Sequence, residues 1–344
     1  MKKSRILVTG AAGFIGSHIV KQLLDEGYTN IFVVDDLSGG FKVNVDKRAE
    51  FTKLDLRDKK RTAAYIERVK PEIVFHLAAD ATEGRSHFTP FSATERNYVA
   101  YLNVLIPSIK HGLKKMILTS SMSVYGSQEP PFSEDMPRIP QDMYGIAKSA
   151  MEQSTEILSE IHDFSYVIIR PHNVYGPGQN LSDPYRNVVA IFINRLLQNK
   201  HFYIYGDGQQ KRAFTYIDNF TPYIIKAAFM KKAEGQIFNI GPTEEYTIDH
   251  LAKLILKNFF PDGKPPVKMR PIYVPDRPLE VKNAWCTVDK AKKVLGYKTT
   301  VSFEEGIKQM ILWAKEKGPQ EFTYTTELEL TNNKTPKIWM KKKI

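Results

Sequence analysis

Three glycines spaced three apart constrain this chain more than any other feature. Gly10, Gly13 and Gly16 follow the apolar run "RILVT" and precede "SHIVKQLLDEGY", whose apolar residues recur at helical spacing. A strand that turns on glycines straight into a helix lets the backbone approach a pyrophosphate and lets the helix pack closely on the strand. The helix N-terminus then faces negative charge. Phe14 and Ile15 belong to the same loop. A second apolar run, "NIFVVDD", ends at Asp35 and Asp36, and Asp35 stands 19 residues after Gly16. A carboxylate there suits a ribose 2′-hydroxyl and repels a 2′-phosphate, so the loop predicts NAD rather than NADP.

The alternation continues through "AEFTKLDL", "RTAAYIERV", "EIVFHLAA", "YLNVLIPSIKHG" and "KKMILTSS". Strand and helix in turn predict an α/β fold, a doubly wound parallel sheet of the Rossmann type. Asp55 and Leu56 close the third strand; Asp55 either holds the adenine amino group or caps the loop. Leu77, Ala78 and Ala79 close the fourth. From Asn173 the rhythm loosens into "VYGPGQNLSDPYRN" and later "KPPVKMRPIYVPDRP", loops of the kind that carry binding groups. The expected division is an NAD-binding domain of residues 1–172 with about 214–240. A smaller C-terminal substrate-binding domain takes about 173–213 and 241–317. Residues 318–344 form a basic extension. There "EFTYTTELEL" and "TPKIWMKKKI" alternate on either side of "NN", which predicts a β-hairpin.

The net charge is +11, and the last fourteen residues supply five lysines and no acid. No interleaved basic and aromatic stripe appears elsewhere, so an anionic small substrate is expected and nucleic acid is not. Cys286 is the single cysteine. It has no internal partner, and no Cys/His cluster has zinc-ligand spacing, so no metal is expected and a reducing, cytoplasmic setting is. No apolar run approaches the ~18 residues of a membrane span.

"YGIAK" places Tyr144 and Lys148 four residues apart, on one face of a helix. An ammonium beside a phenol is expected to lower its pKa, which lets Tyr144 take a proton from a sugar hydroxyl as hydride leaves the same carbon.

With these residues in view, the chain resembles the extended short-chain dehydrogenase/reductase family, the nucleotide-sugar epimerases and dehydratases. The stretches that carry the resemblance are "GAAGFIG", "VVDDLS", "KLDLRD", "FHLAA", "SSMSVYG", "YGIAK", "RPHNVYGPGQ" and "QKRAFTYIDN", in family order over residues 6–219. A weaker match, "DRPLEVKNAWCTVDKAKKVLGY", extends it to 297, and the tail from 318 lies outside it. The resemblance implies a catalytic set of Ser121, Tyr144 and Lys148, with Ser121 bonded to the sugar O4. It implies that Asn97 supports the active site beside the cofactor and that Asn173 contacts the nucleotide-sugar diphosphate. Arg212 and Arg277 match the arginines that neutralise that diphosphate, a role that suits a guanidinium fork. A homodimer is implied, with helices around 94–111 and 143–161 pairing through Val99, Leu102, Ile106, Ile146, Ala150 and Ile157.

Relatives that dehydrate or decarboxylate the sugar commonly carry acids just before "VYG". Here those places hold Met122 and Ser123. Neither does the proton work that elimination from C5 and C6 requires. What remains is transient oxidation at C4 and return of hydride to the opposite face, a 4-epimerisation of a UDP-hexose. Two departures from the family pattern stand out. His172 replaces a common phenylalanine, and Glu83 enters a loop where small residues are usual. Glu83 either joins the chemistry, which leads to a dehydratase or a C3/C5 epimerase, or turns to solvent or to Arg85. A non-catalytic NAD-binding protein is the remaining reading. Ala284, seven residues after Arg277, matches a position that gates the sugar pocket by size. Its single methyl leaves room for an N-acetyl group, so both UDP-Glc/UDP-Gal and UDP-GlcNAc/UDP-GalNAc are expected. A register shift of one would put Asn283 or Trp285 there instead.

Overall fold

The structure is a computed structural model that describes residues 2–344. The first half alternates strand and helix. Strands β1 (Ile6–Thr9), β2 (Ile31–Asp35), β3 (Glu50–Lys53), β4 (Ile73–His76), β5 (Lys115–Thr119) and β6 (Ser165–Pro171) are joined by helices and loops. The helices are α1 (Phe14–Asp25), α2 (Lys59–Val69), the short α3 (Glu83–Ser86) and α4 (Pro90–Thr94), α5 (Ala100–Lys110) and α6 (Met143–His162). The second half holds β7 (Val174–Tyr175), α7 (Val188–Leu197), β8 (Tyr203–Tyr205), β9 (Lys211–Arg212), β10 (Thr215–Tyr216), α8 (Thr221–Phe229) and β11 (Gln236–Ile240). It continues with β12 (Tyr246–Thr247), α9 (Ile248–Phe259), β13 (Ile272–Val274), β14 (Asn283–Ala284), α10 (Asp289–Leu295), α11 (Phe303–Lys317) and α12 (Lys337–Met340).

Seven strands make one parallel sheet in the order β3-β2-β1-β4-β5-β6-β11. The apolar runs are buried on both faces, as a doubly wound sheet requires. Ile6 and Val8 pack into one core layer and Leu7 into the other. The order reverses between β1 and β4, and the register places Thr9 beside both Val34 and His76. The crevice beyond that edge is where such a sheet binds ligands. Strand β11, from the second half of the chain, joins the sheet beside β6.

In the C-terminal half, β9 pairs with β12 on one side and β14 on the other. Its register sets Arg212 directly beside Ala284. Residues 72 apart in sequence thus meet at one edge of the crevice.

The tail departs from expectation. Residues 318–344 contain no strand and no hairpin; their one helix is α12. The alternation itself is real. Phe322, Tyr324, Thr326 and Leu328 are half-buried, while Thr323, Thr325 and Glu327 are exposed. The extended segment finds other backbone partners: Thr323 N–H donates to Ser182 O at 2.8 Å, and Glu329 N–H donates to Phe88 O at 2.8 Å. A period of two reports a one-sided extended segment; it does not say what lies alongside. No helix among the described residues is long and apolar enough to cross a membrane.

Candidate active site

One large cavity runs along the carboxyl edge of the sheet and opens toward the C-terminal half. Its cofactor end is made of backbone. Gly10 has φ +69°, and a Cβ there would stand 2.7 Å from Ala78 N. A Cβ on Gly16 would collide with Gly10 O. The first turn of α1 has neither a side-chain cap nor an acid, so its N–H groups stay free. That cradle at a helix N-terminus fits a pyrophosphate. Phe14, Ile15, Leu77, Ala78 and Ala79 line the cavity beside it. Asp35 is buried and accepts the N–H of Ala12 at 3.0 Å and of Leu37 at 2.8 Å. Burial pushes its carboxyl up, against those two hydrogen bonds. A carboxylate has about four acceptor sites, so it retains capacity for a ribose hydroxyl. Asp36 lines the same stretch and accepts Ser38 N–H at 2.8 Å. Asp55 lies in the wall next to Leu56, but its carboxylate is paired with Arg57 at 2.6 Å. That side-chain hydrogen bond holds Asp55 below the usual range and occupies the oxygens an adenine would use.

Asn97 is fully buried beneath the cavity. Its amide accepts Asp80 N–H at 3.2 Å and donates to Asp80 O at 3.3 Å and Ala93 O at 2.8 Å. It acts on the site through Asp80, whose carboxylate pairs with buried Arg85 at 2.5 Å. This pair sets the position of α3, and with it Glu83. Arg85 therefore pairs with Asp80 rather than Glu83, and Glu83 lines the cavity while its side chain stays exposed to solvent. The surrounding walls desolvate Glu83 enough to raise its carboxyl, although Arg212 and Arg277 pull it down.

Ser121, Tyr144 and Lys148 meet at the centre of the cavity, and all three are buried. Asp142 caps α6 by accepting Gly145 N–H at 2.8 Å, which starts the helix one residue before Tyr144. Ser86 Oγ accepts Tyr144 N–H at 3.2 Å and donates to Glu83 O at 2.6 Å, so α3 and α6 are tied beside Tyr144. Lys148 Nζ lies 5.6 Å from the Tyr144 ring centre and donates to Thr119 O at 2.8 Å. The electrostatics differ from the sequence-based expectation. Burial, then the charge of Glu83, hold the Tyr144 phenol well above its ordinary value, while a hydrogen bond to Ser121 pulls it down. Burial also pushes Lys148 down to about 7. Close approach of an ammonium lowers a phenol's pKa only if the ammonium keeps its charge, and desolvation works against both groups.

Ser121 Oγ accepts from Ser123 N at 3.1 Å and from Ser123 Oγ at 2.8 Å. Met122 is buried, with its sulfur 3.7 Å from Asn173 Nδ2. Asn173 sits in the left-handed region at φ +36° and donates to Ala213 O at 2.9 Å. His172 is fully buried with both ring nitrogens unpartnered, and burial holds it neutral with a pKa of about 3.

At the far end Arg212 donates to Lys282 O at 3.0 Å and Val281 O at 2.5 Å. Arg277 forms a fork with Glu280 at 2.7 and 2.5 Å, and Glu280 also reaches Arg212 at 3.5 Å. Burial pushes Glu280 up, but Arg277 and then Arg212 outweigh it and hold it low. The trio leaves one net positive charge facing the cavity. Ala284 is on the wall; Asn283 and Trp285 are not.

Several cavity residues escaped the sequence reading. Asp142 bears the N-cap signal three residues before Gly145. Arg186 lies inside the proline-rich loop that was singled out, and Glu280 follows Arg277 by three. Thr325 and Thr326 also line the cavity and belong to no motif.

A family model described as the NAD dependent epimerase/dehydratase family matches residues 6–241. The chain belongs to that family. It is an NAD-dependent epimerase of the extended short-chain dehydrogenase/reductase type. A UDP-glucose 4-epimerase from Mycolicibacterium smegmatis is 34% identical over 91% of this chain and 99% of its own. The structure of a UDP-glucose 4-epimerase with UDP-glucose from Thermotoga maritima has a TM-score of 0.83 at 36% identity, covering 91% of this chain and 99% of that one. A UDP-N-acetylglucosamine 4-epimerase from Methanobrevibacter ruminantium in complex with UDP-N-acetylmuramic acid has a TM-score of 0.82 at 28% identity, covering 92% and 100%.

Proposed function

We propose that this epimerase inverts C4 of UDP-hexoses, acting on UDP-Glc/UDP-Gal and on their N-acetyl counterparts. The observation that carries the reading is the neighbourhood of Ser121. The reacting groups lie together in one cavity with the glycine cradle and the two arginines, and the flanking Met122 and Ser123 bring no acid. NAD held by the glycine cradle and Asp35 would supply the acceptor and donor of the C4 hydride. Tyr144 accepts the proton of the 4-hydroxyl as the C–H bond breaks and the carbonyl forms, and gives the proton back on return. Ser121 holds the sugar oxygen beside it. Lys148 supports the proton transfer while it stays charged. Arg212 and Arg277 grip the diphosphate, which leaves the 4-keto sugar free to turn over.

Ala284, beside Arg212, supports acceptance of the N-acetyl group, since the wall there offers a single methyl. Glu83 argues against uronic acids: a carboxylate on the cavity wall repels a C6 carboxylate. Glu83 also supports a second reading. With Asp142 pushed to about 7 by burial and by Glu83, two carboxyls stand near Tyr144 where an elimination or C5 inversion would need them. Asp142 is engaged as a helix cap, which favours the first reading. Incubating the protein with a panel of UDP-sugars decides between them. A product of unchanged mass inverted at C4 is expected; a product lighter by one water supports the second reading.

The active form we propose is a homodimer. Val99 and Ile106 on one helical stretch, with Ile146, Ile157 and Ile161 on α6, form an exposed apolar face; Ile157 is 58% and Ile161 64% exposed. A patch of this kind fits a second copy of the chain. A dimeric mass by light scattering checks it. A cytoplasmic setting fits the one thiol, Cys286, which is buried and free.

A further inference from the structure

The tail beyond α11 crosses the open side of the cavity, anchored in both halves of the molecule. On one bank Gln320 exchanges hydrogen bonds with Asn194, both 2.9 Å, and Thr323 N–H reaches Ser182 O. On the other, Glu329 and Leu330 N–H groups both reach Phe88 O, at 2.8 and 3.1 Å. The Glu329 carboxylate accepts Phe91 N–H and Ser92 N–H, each at 2.8 Å. Thr325 and Thr326 lie in the span between these anchors and both line the cavity, Thr326 half-buried and Thr325 more exposed. Phe88 follows the short helix that carries Glu83, and Tyr185, on the opposite bank, stacks on Arg85 at 4.9 Å. The span therefore crosses at the sugar end.

The tail then doubles back and buries Trp339, 4% exposed, against three rings: Phe88 at 6.0 Å, Tyr185 at 5.4 Å and Tyr205 at 6.4 Å. Tyr205 in turn lies under the Arg277 guanidinium at 5.0 Å. A Cβ on Gly84 would meet both Arg277 Nη1 at 3.3 Å and Trp339 Cη2 at 3.5 Å. Trp339 is thus the backing against which Arg277 is held.

We propose that the tail is a specificity-determining strap for the glycosyl group. Thr325 and Thr326 supply the last polar wall of the sugar pocket, and Trp339, a positioning residue, holds Arg277 through Tyr205. The strap admits a compact, hydroxyl-bearing single sugar that the two threonines can hydrogen-bond, and it closes the pocket to larger glycosyl groups. This inference rests on the reading of the cavity as a nucleotide-sugar site.

The test compares binding of UDP and of UDP-glucose by calorimetry on the NAD-loaded full chain. Two full-length variants are used, Thr325→Ala with Thr326→Ala, and Trp339→Ala. Loss of two sugar hydrogen bonds should weaken UDP-glucose by roughly tenfold and leave UDP within about twofold. Trp339→Ala should weaken both ligands, because the diphosphate arginine loses its backing. If Trp339→Ala fails to fold, the threonine pair decides alone. An unchanged ratio of UDP-glucose to UDP affinity in the threonine variant overturns the proposal and makes the tail a clasp for stability. A parent that binds UDP-glucose without inverting C4 overturns the proposed reaction, yet the ratio still decides the strap. A parent that binds neither overturns both.

Discussion

The two ends of the cavity are built by different means. The cofactor end is backbone: a glycine turn, free N–H groups at the start of α1, and Asp35 braced by two main-chain hydrogen bonds, all within some 30 residues of chain. The sugar end is side chains brought from Glu83, Tyr144, Arg212, Arg277, Ala284 and the tail, more than 200 residues apart. Backbone geometry tolerates little substitution and serves one ligand. A side-chain wall changes one residue at a time and so can be tuned to a particular sugar.

The largest effect should come from breaking the backbone end. Gly16→Val forces a branched side chain into Gly10 O, which belongs to the main chain and has no room to yield. The purified variant should carry no NAD and show no turnover. Cofactor content by absorbance after denaturation measures it, and retention of NAD at the parent level would show that the cradle is misassigned.

At the junction of the two ends, Tyr144→Phe keeps the ring and removes the proton acceptor. Turnover should fall by roughly 10² or more, while affinity for UDP stays close to that of the parent, since the proposed diphosphate grip lies on other residues. Steady-state kinetics beside UDP titration separates the two; near-normal turnover removes Tyr144 from its role.

Ala284→Tyr acts on the sugar wall alone. N-acetyl substrates should lose roughly tenfold or more in kcat/KM, the scale of a steric clash of one to a few kcal/mol in a packed wall, and UDP-Glc/UDP-Gal should survive. Equal losses on both pairs would mean that the wall near β14 does not gate the sugar.

The subtlest test is electrostatic. Glu83 raises the Tyr144 pKa, so Glu83→Gln removes a negative neighbour and should lower it. A base with a lower pKa is deprotonated at lower pH, and the acidic limb of the kcat profile should move toward acid. Lys148, whose ammonium burial pushes down to about 7, should lose its charge as pH rises and so limit the alkaline side. An acidic limb that stays in place, or moves toward alkali, would separate Glu83 from the phenol.

The same contrast explains what was legible in the sequence. The glycine loop, the alternating strands and the Tyr144/Lys148 spacing depend on neighbours in the chain, and they read directly. Arg212 beside Ala284 depends on the register of β9 with β14, which local pattern does not encode; the family resemblance carried those positions. The phenol pKa was misjudged because its two largest determinants, burial and Glu83, come from tertiary packing. The tail alternation correctly marked one inward face over Phe322 to Leu328. Its partners, Ser182 and Phe88, lie over 100 residues away, so a local hairpin was the wrong inference. Asn97, expected beside the cofactor, acts one step removed through Asp80.

Isotope tracing of the C4 hydrogen tests the central claim most directly. A UDP-hexose deuterated at C4, turned over in ordinary water, should yield the C4 epimer with all of its deuterium still on C4 and no accumulation of reduced nicotinamide. Deuterium moved to C6 or lost to solvent would contradict the account and favour the elimination reading.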